Sequence, residues 1–581
     1  MPRTVFVNPF KSHDVSEFPG VLQPLDQAPQ RASITTNQRA PIAAAEREKP
    51  NKDDEPKDDV LRRPDSYASS GIVNHGMTLE ALKAEILADV AASDTDTPYD
   101  RKSKVINRAL QDMGMGKYQW ELFALCGGGW MADNLWLQGV ALTLPQLSAE
   151  FGISETEVRY TTLALFLGLC IGASFWGIAS DVLGRRLAFN FTLFLAGVFG
   201  LASGGGPNWI GTCALYACIG LGVGGNLPVD GALFLEFLPQ TSGNLLTLLS
   251  VFWPVGNLIA SLLAWAYIPN FSCSAGQPCT AESNMGWRYL ILTLGAITFT
   301  MFVCRFFFFH LYESPKFLLS RGRQAEAVAT VYGIAAHNKT TTWLTEDILN
   351  FVGGDPEATG EDVKMSTLQI IKRSLGRFSM KRFSALFADQ KLGITTCLLW
   401  FQWTTIAYPL FNAFLPQYLA NSGGGVENDT STVYRNYAIS AIVGVPGSLL
   451  ACYTVDIKHI GRKGTMSIAT VITGVFVFLF TISSDSDFQL AFTCLEAFFQ
   501  NVMYGVLYAY TPEVFPAPIR GTGTGMSSFL NRVAGLCAPI VAIQAGGSNP
   551  KAPIYASGGL FIAAFFSMLL LPIETRGKQT L

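Results

Sequence analysis

Residues 177–186 read GIASDVLGRR. The stretch that runs into them, Tyr160 to Ser180, carries no charge, and then an acid, a glycine and two arginines arrive together. About 20 apolar residues are what a helix needs to cross a bilayer's hydrocarbon core. The charges therefore stand where a membrane span meets water.

The whole chain agrees with a membrane setting. Of its 581 residues, 49% are hydrophobic and only 15% are charged, with Phe 41 and Gly 55. Soluble domains carry about 25% charged residues. Mean hydropathy is +0.29. A net charge of −3 gives no reason to expect nucleic acid. Twelve candidate spans follow from hydropathy: 122–144, 160–180, 187–204, 209–235, 244–267, 287–310, 392–417, 436–455, 464–484, 489–511, 521–546 and 552–573. The long break at 313–391 divides them six and six. It contains EAVATVYGI and STLQIIKRSL, which read as short surface helices.

Residues 1–117, with NKDDEPKDD and several prolines, read as a disordered cytoplasmic tail. MPRTVFVNPFKSHD has no apolar signal region, so the first span is expected to serve as the insertion signal. Lys and Arg cluster in RKSK before span 1, at Arg185 and Arg186, at Arg321 and Arg323, in KRSLGRFSMKR, in GRK at 461–463 and at Arg520. By the positive-inside rule these segments, the 313–391 loop and both tails are cytoplasmic. The units are then the tail 1–117, an N-terminal six-helix half 118–312, the loop 313–391, a C-terminal half 392–573 and a tail 574–581. The outer loops hold glycosylation sequons at Asn270 and Asn428, and Cys273 and Cys279, a candidate disulfide in an oxidising compartment. Unused sequons and free thiols are the alternative.

The opening motif has an echo. DVLGRR at 181–186 returns as DIKHIGRK at 456–463, two residues longer. LEFLP at 235–239 returns as PEVFP at 512–516. Asp181 to Glu236 spans 55 positions and Asp456 to Glu513 spans 57, the difference being that insertion. LPQLSAEFG at 144–152 returns as LPQYLANSG at 415–423. Two copies of a six-span unit are the signature of a transporter built from parallel halves.

The G-x-x-x-D-x-x-G-R-R loop resembles the signature of the major facilitator superfamily. YESPKFLLSRGR at 312–323, TPEVFPAPIRGTG at 511–523 and LPIETRGK at 571–578 resemble motifs of its sugar-porter-like carriers. MADNLWLQ at 131–138 and FWGIASDVLGRR at 175–186 look like the branch containing the synaptic vesicle glycoprotein and its fungal relatives. The resemblance covers about 115–578. It implies an all-α membrane fold of twelve helices in two halves, with helices 1, 4, 7 and 10 lining a central cavity. It also implies that the motif loops gate the cytoplasmic side: Gly177, Asp181, Gly184, Arg185, Arg186 and Glu236 in the first half, Asp456, Gly461, Arg462, Glu513 and Arg520 in the second. Gly177 and Gly184 are expected to allow a close helix approach and a tight turn. Arg520 gives Glu513 a local basic partner, whereas Gly243 stands at the matching place beside Glu236, so the two gates are expected to be unequal.

Ionisable residues inside spans are costly and point to function. Asp133, Asp230 and Glu496 fall on expected cavity helices and are candidates for substrate or proton handling. Arg532 falls near the midplane of span 11, where related organic-ion carriers hold an acid for cations and an arginine for anions. A permanent ion pair with Asp133 or Glu496 is the alternative. Arg305, near the cytoplasmic end of span 6, is expected to snorkel to the interface. Trp130, Trp403, Tyr408, Tyr504 and Tyr508, with Trp253 and Asn257, suit a small amphipathic solute, and core packing is the competing account of each.

The expected function is secondary active transport of a small organic solute, coupled to protons and directed at an organic anion such as a carboxylate. The alternatives are an efflux carrier for a metabolite or drug, and a non-transporting sensor on the same fold. Span 7 has Gln402 where sugar porters show a glutamine pair, which weakens a sugar reading. No phosphate-binding loop, zinc-protease or serine-hydrolase motif appears, so no enzyme activity, cofactor or metal is expected. The expected partners are the solute, protons and the lipid bilayer, in the plasma membrane or else a vacuolar or other internal membrane.

Overall fold

The computed structural model describes residues 12–28, 77–91, 97–154, 156–239, 245–273, 279–354, 380–405, 430–455, 457, 460–483, 485–515, 517–546 and 551–575. The described residues are almost wholly helical. Before the first span lie α1 (Leu79–Ala91) and α2 (Pro98–Met113). The N-terminal half follows as α3 (Lys117–Phe151), α4 (Tyr160–Leu183), α5 (Arg185–Ser203), α6 (Trp209–Val223) with α7 (Asn226–Phe237), α8 (Phe252–Phe271) and α9 (Gly286–Val303). The central segment contains α10 (Pro315–Ser320), α11 (Gln324–Asn338), α12 (Glu346–Gly353) and α13 (Met380–Ala385). The second half is α14 (Gln390–Thr405), α15 (Thr430–Thr454), α16 (Gly461–Phe480), α17 (Ser486–Val514), α18 (Ala517–Gly546) and α19 (Ala552–Leu569).

Each of the twelve hydropathy windows holds helix. Among the described residues, nine helices are long and apolar enough to cross a membrane. The other three positions are α3, α14 and α18. They are also helical, and α3 carries several polar residues in the span itself, Asp133 and Gln138 among them. The second part of span 7 lies outside the described residues.

Helix ends follow local chemistry. Thr97 caps α2 through Asp100 N with Pro98 in the first turn, and Ser314 caps α10 through Phe317 N. Gly184 takes φ +110°, a turn open to glycine alone, so α4 can end and α5 begin at once. Packing inside the first half uses small residues. A Cβ on Gly168 would stand 2.0 Å from the Ala217 carbonyl, and one on Gly220 would stand 2.3 Å from that of Leu165. The backbones of α4 and α6 therefore touch directly. Gly177 was expected to serve this purpose, but no described atom lies within 4 Å of its Cβ position. The close approach sits two turns further into the bilayer.

The described parts of the N-terminal tail depart from expectation. Residues 79–91 and 98–113 form helices that pack on α12. Val21 and Gln23 pair with Thr342 through two 2.9 Å backbone hydrogen bonds. Lys102 is fully buried, and its ammonium donates to Gln324 Oε1 (2.7 Å) and Asn350 Oδ1 (3.1 Å). Trp343 donates from Nε1 to Asp112 Oδ2 at 3.0 Å. The segment EAVATVYGI is consequently buried within α11, not spread on a surface. STLQIIKRSL lies outside the described residues. Tail and central segment share one apolar cluster with the inner part of the first half. Hydropathy missed this because the apolar positions are interspersed with charges and meet partners more than 200 residues away.

Candidate substrate cavity and its gates

Spans 1, 2, 4, 5, 8, 10 and 11 converge on a cavity of about 150 Å³. Asp133, Glu496, Arg532 and Tyr504 line it, with Trp253, Asn257, Tyr437 and Tyr508. Asp133 is 5% exposed and accepts a 3.2 Å hydrogen bond from Asn226 Nδ2, which also reaches the Gly129 carbonyl. Asn226 starts α7 after the glycine pair that interrupts span 4. That interruption, GVGGN, was the only sequence signal for it.

Arg532 is the one cation lining this cavity among the described residues. Its Nη1 donates weakly to the Leu169 carbonyl at 3.4 Å, and its Nη2 has no hydrogen-bond partner. No direct ion pair joins it to Asp133 or Glu496 among the described residues. Glu496 is 1% exposed, with Oε1 unpartnered.

Asp230 lies elsewhere. It is fully buried between α3, α5 and α9 and is bound at 2.8 Å by Arg305 Nη2. Arg305 also donates to the carbonyls of Phe189 (2.9 Å) and Leu125 (2.5 Å), and its guanidinium lies 3.6 Å over the Phe189 ring. Arg305 is 2% exposed, so it does not snorkel. The bare backbone of Gly129 makes room: a Cβ there would stand 1.7 Å from Asp230 Oδ2. This carboxylate is held inside the first half's bundle and is not among the residues lining the cavity. The expectation that Arg305 faces the interface is replaced by this pair, and Asp230, expected to handle solute or protons, is found bound to Arg305 and not among the residues lining the cavity. The physical reason is desolvation: each group is far cheaper buried against the other than alone.

Trp130 and Trp403 do not line the cavity either. Trp130 stacks on Trp253 with centroids 5.0 Å apart and planes at 18°. Tyr508 meets Trp253 at 4.2 Å and Trp403 at 4.6 Å, and Trp403 Nε1 donates to Thr511. Two rings from each half thus meet beside the cavity, where Trp253 and Tyr508 line it. Tyr434 Oη also donates across the halves, to the Leu142 carbonyl at 2.9 Å. Tyr408 lies outside the described residues.

The described parts of the two signature loops make matching contacts. Arg185 Nε approaches Glu236 Oε1 at 3.3 Å, and Arg462 Nη2 donates to Glu513 Oε1 at 2.6 Å. The first turn of α5 donates from Arg185 N and Arg186 N to Glu313, at 2.9 and 3.2 Å. That of α16 donates from Arg462 N and Lys463 N to Glu574, at 3.2 and 3.1 Å. A carboxylate at a helix N-terminus satisfies free N–H groups and opposes the positive end of the dipole. Burial raises the Glu313 carboxyl above its ordinary range despite these bonds. Glu236 therefore has a basic partner, Arg185, and the expected inequality of the two gates does not hold for these pairs. Glu313 and Glu574 were missed as site residues. Each follows the sixth span of its half, a correspondence the repeat contained. Gly461 takes φ +61°, as the turn requires. The side chains of Asp181 and Arg520, and all of Asp456 and Asn428, lie outside what the structure describes. Asn270 is exposed at the end of α8. Cys273 and Cys279 are disulfide-bonded with Cα atoms 5.5 Å apart.

Two repeated six-helix halves with a cavity lined from both define an integral, multi-pass membrane carrier of small solutes. The sequence profile of the Major Facilitator Superfamily matches residues 124–458 and 436–581, and the chain belongs to that family. It is 45% identical over 490 residues to the MFS siderochrome iron transporter 1 of Ceriporiopsis subvermispora (strain B), covering 84% of this chain and 93% of the relative. It is 27% identical over 522 residues to the synaptic vesicle 2-related protein of Xenopus laevis, covering 86% of each. Among solved structures it resembles a proton:xylose symporter bound to 6-bromo-6-deoxy-D-glucose, with TM-score 0.57 and 18% identity, covering 80% of this chain and 98% of that one.

Proposed function

We propose that the protein is a proton-coupled secondary transporter of a small organic carboxylate, with Arg532 receiving the carboxylate and Asp133 carrying the proton. The observation that carries this is the Arg532 guanidinium, unpaired with any acid at the wall of a small cavity that Asp133 also lines. Guanidinium and carboxylate match as two parallel charge-assisted hydrogen bonds. Asp133 keeps a single 3.2 Å amide contact, so gaining or losing a proton leaves its surroundings largely intact. An anion arriving on Arg532 screens that cation's pull on Asp133 and favours protonation of the acid, which couples the two movements. The solved symporter's proton coupling supports this reading by analogy of fold.

A ferric siderophore is the second reading, favoured by the 45% identical relative's name. The described cavity, about 150 Å³, is of a size for a small solute, and a metal chelate would need it to widen. Efflux and sensing on the same fold remain the functional alternatives, and uptake assays separate them. The test is transport into proteoliposomes under an imposed pH gradient, using a panel of small carboxylates and one ferric hydroxamate. Asp133→Asn is expected to abolish pH-driven accumulation while sparing solute exchange. Arg532→Ala is expected to lose carboxylate recognition. Normal accumulation by Asp133→Asn would remove the proton role from Asp133.

A further inference from the structure

Glu496 has no role in that reading, and its setting calls for one. It lies on α17, fully within the membrane region, at the wall of the same cavity as Arg532. It is 1% exposed, it forms no ion pair with Arg532, and its Oε1 has no hydrogen-bond partner. On α8 the Asn257 Oδ1 atom, also lining the cavity, is buried without a partner. The cavity wall thus offers a vacant donor, Arg532 Nη2, and two vacant acceptors, Glu496 Oε1 and Asn257 Oδ1. Buried polar atoms are almost always paired, and a carboxylate in a membrane interior is costly unless something answers it. Structural carboxylates in this protein are answered: Asp230 by Arg305, Glu150 by Arg288 through two 2.7 Å bonds. Asp230 also leaves one oxygen, Oδ1, unpartnered, but Arg305 holds the other; Glu496 forms no ion pair among the described residues, and it faces the place a solute would occupy.

We propose that the transported solute is bipolar, carrying opposite its carboxylate a cationic or N–H-donating group that Glu496 receives with help from Asn257. This rests on the reading of Arg532 as the carboxylate site and narrows its substrate class from organic anions to zwitterions and donor-bearing acids. Recognition then needs both ends. Discrimination against a plain acid is strong, because such a molecule leaves the Glu496 carboxylate buried and unanswered. The aromatic wall of Trp253, Tyr504 and Tyr508 suits a flat body between the two poles.

The experiment measures binding of matched probe pairs to purified full-length protein in detergent and in proteoliposomes. Each pair differs by one amine, for example 3-(aminomethyl)benzoate against 3-methylbenzoate, with aliphatic pairs beside them. The wild type is expected to bind the amine-bearing member at least about tenfold tighter in one pair or more. Glu496→Gln is expected to bring that preference below about threefold without weakening the plain acid. Glu496→Asp is expected to keep part of the preference, and melting curves of both variants establish that they fold. Equal binding within every pair, no binding by any pair, or a preference untouched by Glu496→Gln overturns the proposal. So does a Glu496→Gln variant that binds both members normally and loses only pH-driven accumulation, which assigns the residue to the proton. Arg532→Gln separates the two readings. If that variant binds both members as the wild type does while Glu496→Gln abolishes the preference, the carboxylate assignment fails and the Glu496 assignment stands.

Discussion

Replacing Arg305 by methionine tests whether the charge in span 6 is a lock or part of the transport path. The substitution keeps much of the side chain's volume and removes the guanidinium. It strands Asp230, which is fully buried, and frees the carbonyls of Phe189 and Leu125 that Arg305 now satisfies. Removing one partner of a buried ion pair costs about 3–5 kcal/mol. At about 1.4 kcal/mol per factor of ten, the folding equilibrium should shift by two to three and a half powers of ten. Adding Asp230→Ala removes the stranded carboxylate, so the double variant should recover about 2 kcal/mol relative to the sum of the single losses. Unfolding by SDS titration in mixed micelles, followed by tryptophan fluorescence, reads both quantities. Solute affinity of the folded fraction should be unchanged, because neither residue lines the cavity. A loss below about 1 kcal/mol for Arg305→Met, or strict additivity in the double variant, would refute the lock.

Other predictions are more direct. A cysteine placed at exposed Glu346 should react with a membrane-impermeant thiol reagent only from the cytoplasmic side, and labelling of intact cells from outside would reverse the topology. Arg185→Ala and Arg462→Ala should slow turnover by similar factors with little change in solute affinity, since each holds a loop-to-helix pair in its own half; a large effect in one half alone would contradict the equivalence. Reducing the Cys273–Cys279 bond should cost about 2 kcal/mol by loop-closure entropy, with transport retained at low temperature. Deleting residues 1–113 should expose the apolar faces of α11 and α12 and lower the melting temperature by several degrees; an unchanged melt would show that the tail's packing contributes nothing to stability.

The family, the helical class and the paired halves were legible in the linear order of residues. Span recognition needs only the sum of transfer free energies over about 20 positions, and the repeat needs only spacing. The signature loops were legible for the same reason: a charge cluster next to an uncharged stretch is a one-dimensional pattern. The caps at Glu313 and Glu574 were within reach, because the two motifs that hold them occupy matching places.

Tertiary structure alone decided which charges meet. Asp133, Asp230 and Glu496 look alike along the chain, each an acid in a span on an expected cavity helix. One turns to the cavity with an amide beside it, one is clamped by Arg305 in the first half's bundle, and one faces the cavity unanswered. The difference lies in how each helix is rotated about its axis and how closely its neighbours approach, as where bare Gly129 lets Asp230 sit against α3. Rotation and approach are set by the packing of whole helix surfaces, with many small contacts contributing at once. The folding of the tail onto α11 and α12 has the same origin. Its apolar residues recur at helical spacing, as at Leu82, Ile86 and Val90 or Ile106, Leu110 and Met113, but only partners brought from the distant central segment give that face a surface to bury against.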